Sequence, residues 1–202
     1  MRVIRELSMP CTEIRARLSA VGFVAFEHAL DDDLFRRLQE EAGRQRLAAV
    51  RADGDDEVPY RAHIAALGAV AREFLIGECV AGLLAEAFGE RLVLSEDASC
   101  YTYYGEGDRL GLHQDRPQAC ASTLILYLAV QGVSAGHPDS GLSLRVFGET
   151  RPQPGTSPAA IVPARTGTLV LGWGAKVWHE RPRLCRGEAV AALTSCYRRA
   201  AA

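Results

Sequence analysis

The sequence predicts an α+β fold in which helices precede an antiparallel sandwich or barrel of short strands. Through the first 90 residues apolar side chains recur mostly at three- and four-residue spacing, with one strand-like run near the start. From Arg91 the period changes to two, and strand-like runs follow one another at short intervals, separated by Gly, Pro, Ser and Asp clusters. Helices gathered ahead of so many strands would cover one sheet. At 202 residues the chain fits one domain, 1–202, with 1–90 as mainly helical support and 91–199 as the strand-rich core.

Each element has a local reason. Thr12 is placed to cap a helix carrying Ile14, Leu18 and Val21, which Gly22 stops. Phe23 to Phe26 has strand character. Asp31-Asp32-Asp33 sits just before a helical run with Leu34, Phe35 and Leu38, so the acids read as a cap and a complement to the helix dipole rather than as a metal site. Residues 44–60, with Asp53-Gly54-Asp55-Asp56, read as an exposed loop. Helical spacing resumes from Arg61 to Phe88 through Ile64, Leu67, Val70, Phe74, Leu75, Val80, Leu83 and Leu84, with a break at Gly77 and an end at Gly89. Candidate strands are 91–96, 98–104, 109–115, 122–130, 142–147, 159–163, 168–172, 176–180 and 188–197.

Composition narrows the class. The net charge is -2, so no overall basic field draws the chain to nucleic acid, and all but one of the 23 basic residues are arginine. No apolar run reaches the roughly 18 residues that span a bilayer and no signal-like segment opens the chain, so a cytoplasmic protein without membrane contact is expected. Six cysteines show no C-x-x-C pair and no zinc-type spacing, and read as free thiols.

The chemistry centres on Y-T-Y-Y-G-E-G-D-R-L-G-L-H-Q-D, residues 101–115. If 109–115 is one strand, His113 and Asp115 project from the same face. Gly167 to Val177 reads as a hairpin-like pair of apolar runs that delivers Trp178-His179. Two histidines and one carboxylate make a facial triad suited to Fe(II), with open coordination positions. His137-Pro138-Asp139 is a rival pair, but proline and the flanking glycines favour a turn. His28 and His63 lack partners at useful spacing. Gly105-Glu106-Gly107 has no following helix and is no dinucleotide fingerprint.

In order, Y-x-x-G, G-L-H-Q-D, S-T-L-I-L-Y-L, S-G-L-S-L-R-V-F, V-P-A-R-T-G-T-L-V-L, W-H-E and R-G-E-A-V-A-A-L-T resemble the core of Fe(II)- and 2-oxoglutarate-dependent oxygenases. The resemblance covers about residues 98–198 and is nearest to prolyl-hydroxylase-like members; the H-Q-D is also similar to phytanoyl-CoA hydroxylase-like and AlkB-like ones. G-F-V-A-F-E-H-A-L-D-D-D-L-F-R-R-L looks like the entry segment of the same superfamily.

That resemblance implies a double-stranded β-helix, a cupin-like jelly-roll, with N-terminal helices packed on one sheet. It implies that His113, Asp115 and His179 are catalytic metal ligands for Fe(II), that 2-oxoglutarate and dioxygen are cosubstrates, and that Tyr104 and Tyr127 contact the 2-oxo acid. One departure stands out. The family usually places a basic residue about ten positions beyond the second histidine, where this chain has Glu188, Ala189, Val190 and Ala191. Val190, Ala192, Thr194, Cys196 and Arg198 would share a face of one strand, which makes Arg198 the expected anchor for the distal carboxylate, with Arg186 and Arg145 as alternatives.

The expected function is therefore an oxidoreductase, a dioxygenase that hydroxylates a small molecule. The alternatives are an AlkB-like nucleic-acid demethylase, which the charge disfavours, and a cupin-like metal-binding protein that does not use 2-oxoglutarate. Halogenation is not expected, because Asp115 fills the position that chloride takes in related halogenases. Substrate choice would fall to residues 44–60 and 131–158.

Overall fold

The structure is a computed structural model that describes Ile4, residues 9–132 and residues 140–200. Helix α1 (Cys11–Val21) begins one residue before Thr12, because the Pro10 carbonyl accepts from the Glu13 and Ile14 amides and the extended Pro10 is the cap. Thr12 lies inside the first turn. Gly22 ends the helix in the left-handed region, φ 83°. Strand β1 (Phe23–Phe26) follows, and then α2 (Asp32–Arg46), where the Asp31 carboxylate accepts from the amides of Asp33 and Leu34 as the capping reading requires.

Residues 44–60 are not one loop. Helix α2 runs to Arg46, and Val50–Asp53 forms β2, which pairs with β3 (Tyr60–Ala65). The predicted helix from Arg61 is likewise corrected at its start, since Arg61 to Ala65 are strand. Their partners are distant in sequence: His63 faces Tyr103 and Tyr60 faces Leu110. Helices α3 (Ala69–Ile76) and α4 (Glu78–Phe88) are separated at Gly77, and Gly89 closes α4.

Helix α3 has no cap of its own, because Gly68 has no side chain to offer. The buried Glu41 carboxylate of α2 supplies it, accepting from the Val70 and Ala71 amides at 2.8 and 3.0 Å and from the Tyr101 hydroxyl at 2.7 Å. A Cβ on residue 68 would lie 2.1 Å from the Glu41 carboxyl carbon, which is why glycine stands there.

The remaining strands are β4 (Leu92–Tyr104), β5 (Arg109–His113), β6 (Ser122–Gln131), β7 (Ser143–Gly148), β8 (Ala160–Pro163), β9 (Leu169–Gly172), β10 (Trp178–Arg181) and β11 (Ala189–Arg199). The runs expected at 91–96 and 98–104 are one strand. Its pairing with β11 jumps between Ser95 and Cys100, and Ser99 bridges the irregularity by donating to the Ser95 carbonyl and accepting from the Cys196 amide. The segment 167–177 is no hairpin. Strand β9 pairs with β1 and β6, whereas β10 pairs with β5 and β7, so the chain crosses between sheet regions at Trp173–Val177.

All pairings are antiparallel, and the sheet order is β1-β9-β6-β11-β4-β3-β5-β10-β7-β8, with β2 beyond β3. The sheet curls into a double-stranded β-helix with two cores. One lies between the helices and the sheet, joining Leu38, Phe74, Leu75 and Leu84 to Tyr101, Tyr103, Leu124, Leu126, Leu193 and Tyr197. The other fills the barrel with Phe23, Tyr127, Leu142, Leu144, Val146, Val177 and Ala192. Strand β6 is buried on both faces over most of its length, which explains its continuous apolar run.

Strand alternation divides the tyrosine run. Tyr101 and Tyr103 face the helices, where their hydroxyls donate to Glu41 and to the Ala42 carbonyl, while Tyr104 joins the barrel core.

The free-thiol reading holds for Cys11, Cys79, Cys100 and Cys185 but fails for Cys120 and Cys196, which form a disulfide. Pairing of Thr123 with Cys196 brings the loop before β6 against β11. Among the described residues no helix is long and apolar enough to cross a membrane.

Candidate metal centre

His113 ends β5 and His179 lies in β10, directly opposite each other in the ladder, with ring centroids 4.2 Å apart. Asp115 is not on the strand, which stops at His113. It sits in the following loop, positioned by its amide donating to the Gly174 carbonyl at 2.9 Å and by the Thr123 hydroxyl donating to Oδ2 at 2.5 Å. Candidate ligand atoms of the three residues all lie within 4.8 Å of one another. His113 Nε2 is 3.2 Å, and His179 Nε2 3.9 Å, from Asp115 Oδ1.

The hydrogen bonds fix what those atoms can do. His113 Nδ1 faces the Gly111 carbonyl at 2.8 Å and His179 Nδ1 faces the Val177 carbonyl at 3.0 Å. A carbonyl can only accept, so each Nδ1 carries a hydrogen and each Nε2 of a neutral ring presents a lone pair. Two lone pairs then converge on a carboxylate oxygen, which requires positive charge between them. Burial lowers the His179 pKa to about 4, against a smaller upward pull from Asp115, so a proton on that ring is disfavoured. Burial pushes the Asp115 carboxyl up, but the His113 ring when protonated, the charge of a protonated His179 and the Thr123 hydroxyl outweigh this and hold it below the usual carboxylate range. A divalent cation satisfies all three groups at once, and two imidazoles with one carboxylate fit Fe(II).

The triad opens into a cavity of about 280 Å³ whose walls include Val58, Tyr60, Ile64, Tyr104, Leu110 and Ile125. The β2–β3 turn contributes to this wall. It is tied to the loop of Asp115 by Arg116, which pairs with Asp55 and Glu57.

None of the three arginines considered as the anion anchor lines the cavity of the triad. Arg198 continues the inward face of β11 past the rim of the barrel and is exposed; Arg186 is exposed as well. Arg145 pairs with Glu180 at 3.1 Å and lines a different groove. The buried cation is Arg181, two residues beyond His179 on β10 and only 3% exposed. Its Nη2 donates to the Tyr127 hydroxyl at 2.7 Å and its Nη1 to the Gly141 carbonyl at 2.6 Å, and its guanidinium lies 5.4 and 5.3 Å from the ring centroids of Tyr104 and Tyr127. Among the described residues no carboxylate comes within ion-pair distance of it.

Both predicted tyrosines thus meet at a cation that sequence reasoning missed. The available signal was alternation: in W-H-E-R, residue 181 shares the inward face of residue 179. His137-Pro138-Asp139 lies outside the described residues. His28 and His63 take no part in the centre.

No protein-family model and no curated protein matches the chain. Solved structures do. A prolyl-4-hydroxylase from Pseudomonas putida superposes with TM-score 0.66 at 20% identity, over 95% of this chain and 100% of that one. The non-heme alpha-ketoglutarate-dependent epimerase SnoN from nogalamycin biosynthesis gives 0.72 at 19%, covering 94% and 83%. HygX from Streptomyces hygroscopicus, solved with nickel and 2-oxoglutarate bound, gives 0.69 at 14%, covering 93% and 86%. The fold is the double-stranded β-helix that these structures share.

Proposed function

We propose that the chain is a single-domain, cytoplasmic Fe(II)- and 2-oxoglutarate-dependent oxygenase, spanning 1–202, that hydroxylates a small molecule. The observation that carries this is the convergence of His113 Nε2, His179 Nε2 and Asp115 Oδ1 at a point where only a cation satisfies them. Fe(II) held there would activate dioxygen, the oxidant, for attack on a C–H bond, with a 2-oxo acid giving up the two further electrons on its decarboxylation.

The protein's own groups have separate tasks. The Nδ1 bonds and Thr123 hold the three ligands in place. Arg181, oriented by Tyr127 and covered by Tyr104, receives the distal carboxylate of 2-oxoglutarate. Two residues along a strand span roughly 6.7 Å, a separation suited to a short diacid held by the metal at one end and by the guanidinium at the other. Arginine suits this role because its planar fork meets a carboxylate through two charge-assisted hydrogen bonds. The apolar and aromatic wall formed by Val58, Tyr60, Ile64, Leu110 and Ile125 excludes water and accepts a substrate of small size. Net charge of -2 argues against a nucleic-acid substrate.

The test is anaerobic titration of the purified protein with Fe(II) and then 2-oxoglutarate. One iron per chain, a visible charge-transfer band on adding the 2-oxo acid, and succinate formation once oxygen is admitted are expected, all lost in His179→Ala. Stoichiometric iron in His179→Ala would move the centre elsewhere. Iron binding without the band or succinate would favour the metal-binding protein that does not use 2-oxoglutarate.

A further inference from the structure

The Cys120–Cys196 disulfide lies against the metal centre, and nothing in the proposed chemistry uses it. Candidate donor atoms of Asp115, Cys120 and Cys196 lie within 4.8 Å of one another. Cys120 Sγ is 3.4 Å from Thr123 Oγ1, the same hydroxyl that donates to Asp115 Oδ2. The bridge ties the loop that carries Asp115 to β11, across 76 residues of sequence. Both cysteines are buried, yet Cys196 helps line the cavity onto which the triad opens. Its sulfur is therefore approached from the cavity rather than from the outer surface.

We propose that Cys120 and Cys196 form a redox-exchangeable pair whose state sets the position of Asp115 and so the metal affinity of the centre; the second half of this rests on the metal reading above. In the exchange, a low-molecular-weight thiolate attacks Cys196 Sγ. The Cys120–Cys196 bond breaks, a mixed disulfide forms on Cys196, and Cys120 leaves as a thiolate that takes a proton. A second small thiol attacks the mixed disulfide, releasing Cys196 as a thiol and the small molecule as its disulfide. Two electrons and two protons enter the pair, and a low-molecular-weight disulfide reverses the process.

The consequence for the centre follows from which sulfur can move. Two thiols cannot remain at bonding distance. Cys196 is fixed in ladders with both β4 and β6, facing Ser95 and Thr123. Cys120 sits in the loop after Asp115, held by its amide donating to the Arg116 carbonyl. The loop therefore yields and carries Asp115 away from the Thr123 hydroxyl, which β6 holds in its ladders with β9 and β11. Loss of a group that orients a metal ligand lowers affinity by about 10- to 100-fold.

The experiment needs no variant that endangers folding. Native protein is incubated anaerobically with a small thiol, desalted and alkylated; accessible and buried thiols together should rise from four to six after denaturation. Co(II), used as a spectroscopic probe, should bind the oxidised form about 10- to 100-fold more tightly than the reduced form. Cys120→Ser/Cys196→Ser should match the reduced form under both conditions. Hydrogen exchange in residues 114–121 should quicken on reduction by more than exchange in β6 does, since loss of the bridge lowers global stability for both.

Resistance of the bridge to small thiols in the native state would overturn the proposal. So would equal Co(II) affinity of the two forms, or tighter binding by the reduced form with a thiolate charge-transfer band, which would make the pair a metal site instead. If the oxidised protein bound no Co(II), the metal reading would fail by itself. Thiol counts and exchange at 114–121 would then decide the redox pair, unchanged exchange there counting against it.

Discussion

Replacing Arg181 by methionine should leave the stability of the empty protein nearly unchanged and weaken 2-oxoglutarate binding. Arg181 is 3% exposed, and two of its five guanidinium N–H donors meet the Tyr127 hydroxyl and the Gly141 carbonyl. With no carboxylate nearby among the described residues, it is a buried charge without a counter-ion. Such a charge costs several kcal/mol, and a well-packed apolar side chain of similar length removes that cost. Against it stand two lost charge-assisted hydrogen bonds, about 3 to 6 kcal/mol in all, so the two effects roughly cancel. Unfolding by urea without cosubstrate should therefore give Arg181→Met within about 1 kcal/mol of the parent.

The dissociation constant of 2-oxoglutarate, measured on the Mn(II)-loaded protein by calorimetry, should rise. Loss of a buried charge-assisted pair worth about 2 to 4 kcal/mol corresponds to about 30- to 1,000-fold. Arg181→Lys keeps the charge but not the fork and should fall between. Unchanged 2-oxoglutarate affinity in Arg181→Met with metal bound would refute the assignment. Severe destabilisation with normal binding would make Arg181 a structural tie between β10 and the barrel.

Other outcomes follow from the same geometry. A Cβ on residue 174 would lie 1.9 Å from Asp115 Oδ2, and Gly174 is not among the residues with positive φ, so Gly174→Ala should act by displacing the carboxylate; Mn(II) affinity about 10- to 100-fold weaker is expected, and unchanged affinity would show that Asp115 does not bind the metal. In the metal-free protein the His179 ring titrates at about 4, whereas an unfolded histidine does so near 6.5. The unfolded state then binds more protons between those values, so stability should fall by about 3 kcal/mol as pH drops from about 6.5 to 4, and urea midpoints independent of pH in that window would contradict the burial argument. Glu41→Ala removes the shared acceptor of two amides and a tyrosine and should cost about 3 kcal/mol in urea unfolding, with Mn(II) affinity retained.

What the sequence revealed, and what it concealed, divides along local and non-local lines. The acid triplet before Leu34, the stops at Gly22 and Gly89 and the period-two pattern after Arg91 act through neighbours in the chain, and the structure realises them. The ordered motifs were also enough to bring His113 and His179 together. Tyr60 to Ala65 was misread because Ile64, Leu67 and Val70 recur at helical spacing, while the strand depends on Tyr103 and Leu110, some forty to fifty residues away. Cys120 and Cys196 join only because β6 and β11 lie side by side. Alternation places Arg181 on the inward face beside His179, whereas the family resemblance directs the expected anchor to the later strand, on which Arg198 is exposed.

The direct opposition of His113 and His179 in the β5–β10 ladder would make a metal bound between them a check on strand register. Sliding either strand by one position would swap its inward and outward faces, sending an imidazole to the outside and breaking the triad. A metal that binds only the aligned pairing stabilises that pairing over its one-step neighbours. An ion held there would therefore do more than serve a reaction: it would favour, among several ways of zipping two short strands, the one in which the barrel closes.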